Sequence, residues 1–246
     1  MGPTDSGQGW TRHFVYSTQS RRTTWKLRFG VLGVVLITAV LSRGYWTRSL
    51  ALSLVCADAV RASDAVLVEN FDPTYLLFEQ AAALQTAGLA RRAIIPVDAS
   101  AADPRVAELV SREIATLMAR VARLHDVELI PAQDIEPISL NVAFQIRDVI
   151  GAEGVRSVIV VAPAFRSRRS FLVYQKVLRT AGIEVHCLPV TTAGHRPDNW
   201  THTWHGVQEF TEQFVKLVYY RVYVLPRVHP SGRSPPPGVR VHPVSA

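Results

Sequence analysis

Apolar and polar positions fall along this chain in three patterns. Phe29 to Leu41 is apolar without a break. From residue 64 to residue 223, short apolar runs alternate with longer segments whose apolar residues recur at helical spacing. The two ends, residues 1–24 and 226–246, show neither period. The short runs predict five strands: Asp64–Glu69 (DAVLVE), Ala93–Val97 (AIIPV), Val127–Ile130, Ser157–Ala162 and Glu184–Leu188. Ser157–Ala162 is the clearest, being rich in β-branched residues, as suits a strand covered on both faces. Pro96 inside the second run predicts a strand end or an irregular edge. Helices are predicted over Tyr75–Ala87, closed by Gly88, and from Asp103-Pro104 to about His125, with Asp as cap and Pro in the first turn. Others run from a capping Ser139 to about Ala152, from near Arg166 to Gly182, and over Trp204–Tyr223.

Strand–helix alternation at this spacing predicts an α/β domain over residues 52–225. Its sheet is expected to be five-stranded, mainly parallel, doubly wound and Rossmann-like, with helices on both faces. The most continuously apolar strands, Val66–Val68 and Val158–Val161, are expected at its centre.

The apolar run changes the picture of where the domain sits. Thirteen residues span only about 20 Å as a helix, short of the roughly 30 Å hydrocarbon core. Trp25 on one side and Tyr45 and Trp46 on the other stand where interfacial aromatics belong. Lys26, Arg28 and Arg43 can snorkel. Residues 25–46 therefore predict a transmembrane anchor in contact with a lipid bilayer. Arg43, Gly44, Tyr45 and Trp46 make a poor cleavage site for a signal peptide, the rival assignment.

Charge gives that anchor an orientation. The net charge of +7 resides in the ends: +4 over residues 1–28 and +3 over 226–246. The body between them balances 19 basic against 19 acidic residues. That argues against nucleic acid, which needs a basic patch on the fold itself. The basic N-terminal flank predicts a cytoplasmic N-terminus and an extracytoplasmic domain. Residues 1–24 and the Pro-rich tail 226–246 predict disordered ends. Cys56 and Cys187 are far apart, without metal-type spacing. They read as two small buried hydrophobes, with a disulfide open as the alternative outside the cytoplasm.

Chemistry in an open parallel sheet gathers beyond the carboxyl ends of the strands. Arg166, Arg168 and Arg169 come together at a predicted helix start, where the partial positive charge is unfavourable to cations. A counter-charge or an anionic ligand is expected there. Glu69, Asn70 and Asp72 follow the first strand, and Glu136, Ser139 and Asn141 follow the third. All nine are candidate ligand-binding residues. His202, His205 and Glu209, at i, i+3 and i+7, can share a helix face, but the pattern lacks a metalloenzyme motif and no metal is assigned. No Gly-rich nucleotide loop and no nucleophile elbow is present, so no cofactor is assigned.

The order of these pieces resembles the YdcF-like family, the SanA and ElyC group of bacterial envelope proteins. The likeness covers roughly Leu52 to Val224. It rests on Ser63–Val68 as opening strand, Glu136-x-x-Ser139-x-Asn141 before a helix, Ser157–Ala162 followed by Phe165 to Arg169, and Trp200 with a final helix carrying Lys216–Tyr220. The resemblance implies a membrane-anchored envelope protein that binds or processes a phosphorylated glycan or lipid-linked sugar precursor. The departures are specific. The family's glycine turns are replaced by Glu69–Asp72 and Asp98–Ser100, its threonine by Val142, and its histidine by Arg166. They leave open a non-catalytic member acting as an anchored partner in envelope assembly.

Overall fold

The structure is a computed structural model and describes residues 25–71, 74–99, 104–133, 135–191 and 196–228. It divides into two units, residues 1–44 and 45–246. In the first, helix α1 (Trp25–Leu41) carries the long apolar run, with its large apolar side chains exposed. Helix α2 (Arg43–Leu52) follows. One continuous helix from Trp25 to Trp46 is therefore not what forms. Among the described residues no single helix is long and apolar enough to cross a membrane, although Leu27–Leu41 and Arg43–Leu52 pass that test together as a bent pair.

In the second unit, strands and helices alternate as β1 (Ser63–Val68), α3 (Tyr75–Thr86), β2 (Ala90–Asp98), α4 (Pro104–Ala122), β3 (Val127–Ala132), α5 (Ile138–Ala152), β4 (Ser157–Pro163), α6 (Ala164–Leu178), β5 (Glu184–Val190) and α7 (Trp204–Tyr219). The sheet order is β3-β2-β1-β4-β5, and every pair is parallel. β1 and β4 lie side by side at the centre, in register from Ala65 opposite Val158 to Val68 opposite Val161.

The period-two alternation of these strands separates two cores. Ala65, Leu67, Val158, Val160 and Ala162 face α5 and α6. Val66, Val68, Ile159 and Val161 face the layer of α3 and α4. With apolar residues on both sides, a central strand reads as an unbroken run.

Two expectations are corrected here. Pro96 lies inside β2, an internal strand, rather than at an edge. It is tolerated because the register of β2 with β1 ends at Leu67 opposite Ile94. Pro96 O faces that side, where Asn70 Nδ2 lies 3.5 Å away, so the missing N–H breaks no ladder bond. Ser139 is not the cap of α5: Pro137 holds that position, and Ser139 is buried in the first turn.

A third cluster ties the segment after the apolar run to α6 and α7. Ala51 and Leu54 pack with Phe165, Trp200, Phe210 and Leu217. Trp200 Nε1 donates to Thr47 O (3.1 Å), and Arg168 N–H donates to Leu54 O (3.0 Å). Cys56 and Cys187 form a disulfide, their Cα atoms 6.6 Å apart. That corrects the reading of two unlinked hydrophobes. The bond joins the segment after α2 to β5, a meeting that a separation of 131 residues gives no sign of. The predicted disorder of residues 1–24 lies outside the described residues, as does that of the tail from residue 229 on.

Candidate functional site

The site is built from the bottom of a crevice upward. Glu69 is the first residue past β1, and its N–H donates to Val161 O (3.0 Å), continuing the pairing with β4. That pairing holds its carboxylate inside the protein, fully buried. Ser170 Oγ, one turn into α6 from Arg166, lies 2.7 Å from each carboxylate oxygen. A buried carboxylate is costly unless hydrogen-bonded and paired with a cation. Arg169 is the adjacent cation, itself buried. Burial pushes its pKa down, the neighbouring Arg166 adds to that, and the Glu69 charge opposes it. Its guanidinium lies 5.3 Å from the centre of the Tyr220 ring. A cation over an aromatic face is attracted by the ring's negative π face. No hydrogen bond reaches Arg169 Nε among the described residues.

Glu69 thus supplies a counter-charge to Arg169, one of the three arginines at this helix start. It also acts on Tyr174, whose fully buried hydroxyl is pushed well up, first by burial and then by the Glu69 charge. That hydroxyl stays neutral and has no hydrogen-bond partner among the described residues.

Above this buried layer opens a crevice of about 390 Å³. One wall comes from the ends of β1 and β2, with Asn70, Phe71 and Pro96 to Asp98. Glu136, Ser139 and Arg166 come from the starts of α5 and α6, with Arg169 beside them. The end of α7 closes it with Lys216, Tyr219 and Tyr220. It therefore lies beyond the carboxyl ends of the strands, beside the β1–β4 switch point, where open α/β sheets hold ligands. The Tyr220 hydroxyl is raised in pKa chiefly by burial, opposed by hydrogen bonding to Ser139 and by the Arg169 charge. Arg166, Arg169 and Lys216 supply three positive charges to the lining, and Asp98 and Glu136 two negative ones. Such a lining can offer its cations to an anion and its carboxylates to hydroxyl groups, with Tyr219 and Phe71 as apolar faces.

Of the nine predicted residues, five line the crevice: Asn70, Glu136, Ser139, Arg166 and Arg169. Glu69 lies beneath it. Arg168 does not line it, and its N–H is turned to Leu54. Asn141 does not line it either: its side-chain amide donates to Ile135 O (2.7 Å), pinning the loop before α5. Asp72 lies outside the described residues. His202 and His205 do not share a helix, because His202 ends the short turn Trp200–His202 before Thr203 caps α7. Among the described residues no group of three or more His, Cys, Asp or Glu is placed to hold a metal ion.

Sequence reasoning misses Ser170, Tyr174 and Tyr219-Tyr220 as site residues. Ser170 and Tyr174 follow Arg166 at i+4 and i+8, one face of a helix, so the arginine cluster itself could have flagged them. Tyr220 starts a wider helical turn, Tyr220–Val224, that continues α7. No protein-family model, curated protein or solved structure matches the chain.

Proposed function

We propose that the crevice binds the anionic group of a phosphorylated glycan or lipid-linked sugar precursor, in a domain held outside the cytoplasm by a transmembrane anchor over residues 25–46. The observation that carries this reading is the pair Arg166 and Arg169 in the wall of a crevice at the switch point, with Arg169 desolvated and Glu69 buried behind it. A desolvated guanidinium has few water contacts to lose and forks toward phosphate or carboxylate oxygens. Tyr219, Glu136 and Asp98 suit the hydroxylated part of such a ligand.

The location rests on separate supports. The Cys56–Cys187 disulfide supports it, because such bonds persist chiefly in oxidising compartments. Basic residues flank α1 on its N-terminal side, and the domain begins to pack at Thr47, immediately after the interfacial Tyr45 and Trp46. The order of motifs supports a place beside the YdcF-like envelope proteins.

A second reading is favoured by the same buried carboxylate. Ser170 bonds both oxygens of the Glu69 carboxylate and the Glu69 charge favours the Arg169 cation, as in a purely structural network. In that reading the domain is a non-catalytic anchored partner in envelope assembly. Thermal shift with inorganic phosphate, a sugar 1-phosphate and a neutral sugar separates the two. A ligand at 100 times its dissociation constant adds about 2.7 kcal/mol to native stability. Stabilisation by the sugar phosphate beyond that by the neutral sugar is expected, and no response to any anion refutes the binding reading.

A further inference from the structure

Helix α4 has two apolar faces, and only one of them is used inside the domain. Ala115 and Ala119 are buried against β2 and α3, with Met118 and Ala122 beside them. On the outer side, Val110, Ile114, Leu117 and Val121 are 51%, 39%, 60% and 58% exposed. Their spacing of four, three and four residues is the seam of a two-helix coiled coil, in which alternate large apolar residues interlock with a facing helix. A helix needing only to cover the sheet has no use for that second seam.

Charge selects the occupant. Glu113 and Arg120 flank the seam on one side, bordering a shallow groove with Ile114 and Leu117. They lie seven residues apart, about 10 Å along the axis, beyond reach of each other within the helix. Arg112 and Glu108, four apart, do pair in the ordinary way. Neither Glu113 nor Arg120 makes an ion pair among the described residues.

We propose that the outer face of α4 is a homotypic interface, occupied by the same face of a second copy running antiparallel about a two-fold axis. In that arrangement Ile114 of one copy meets Leu117 of the other, and Val110 meets Val121. The register places Glu113 of each copy against Arg120 of the other, so the two-fold axis makes the ion pair twice. A parallel pair would set Glu113 against Met118 and leave both charges unmatched. The self-complementary charge pattern is what distinguishes a second copy from an unrelated partner or a lipid surface.

Sedimentation of the full chain in detergent, over a concentration series, tests this. The wild type is expected to show a concentration-dependent monomer–dimer equilibrium. E113R and R120E each turn two attractive contacts into two repulsive ones. Each should raise the dimer dissociation constant roughly tenfold or more, with the melting of the dilute monomer unchanged because both sites are exposed. Mixing the two variants should restore a dimer, because the arginine introduced by E113R then meets the glutamate introduced by R120E. A wild type that stays monomeric overturns the proposal, and if Leu117→Asp then weakens its binding to vesicles, the occupant of this face is lipid. A dimer indifferent to both charge reversals also overturns it and assigns self-association to another surface, α1 included. None of these outcomes depends on ligand binding in the crevice.

Discussion

Glu69 sets the balance of charge in the domain, because it is fully buried and faces a buried arginine. Glu69→Gln keeps the size and a hydrogen-bond acceptor for Ser170 but leaves Arg169 without its counter-charge. A stranded buried charge costs about 3–5 kcal/mol. Urea unfolding should show a loss of that size, against about 1–3 kcal/mol for Ser170→Ala, which removes a hydrogen bond to a charged group. Equal small losses for both would mean that Arg169 is not held by Glu69. The sequence makes the need for a counter-charge legible, since three arginines at a helix start are electrostatically unfavourable. It does not reveal which acid answers it. Glu69, Asp72 and Glu136 all follow strand ends, and only the β1–β4 register places Glu69 against Ser170. Asn141 illustrates the reverse failure: its position in a polar motif suggests ligand contact, yet it serves Ile135 O in its own loop.

At the scale of elements, the central strand pair is locked at its N-terminal end by Asp64. Its carboxylate accepts from Arg156 N–H (2.9 Å), Ser157 N–H (3.0 Å) and Ser157 Oγ (3.1 Å). These bonds, the Arg156 N–H foremost, hold the Asp64 carboxyl below its ordinary pKa, with partial burial opposing them. A carboxyl lowered in the folded state contributes stability that is complete above its unfolded pKa of about 3.9 and is lost as pH falls through the folded value. Asp64→Asn should therefore lose about 1–2 kcal/mol at neutral pH, a figure already reduced for solvent screening. The gap to wild type should close as the solution is acidified below about pH 4. A gap independent of pH would show that shape, not charge, makes the lock. The elements themselves are legible because each strand's apolar run is long enough to be covered on two faces. Their ends are less so: β2 continues past Pro96, whose lost donor falls where β1 pairing has stopped. The outer seam of α4 is equally plain in the sequence, but its meaning depends on the sheet covering the other face.

At the scale of the whole molecule, the Cys56–Cys187 bond joins the strap that follows α2 to the edge strand β5. Replacing both cysteines with serine should cost about 2–5 kcal/mol and make melting insensitive to reductant. If the wild type melts identically with and without reductant, the bond does not form. A reporter active only outside the cytoplasm, fused to the C-terminus, should be active in the full chain, whereas a stable but inactive fusion contradicts the proposed orientation. Anion binding by Arg166 and Arg169 is tested by calorimetric titration of a sugar phosphate into wild type and Arg166→Ala, with urea unfolding of the same samples. When half-buried Arg166 is removed, Glu69 keeps its hydrogen bonds from Ser170 and the nearby charge of Arg169. Saturable binding to wild type and none to the variant is expected, with stability changed by less than about 1 kcal/mol. No binding to wild type, together with a loss of about 3–5 kcal/mol in the variant, would contradict it and leave the arginines as part of the scaffold.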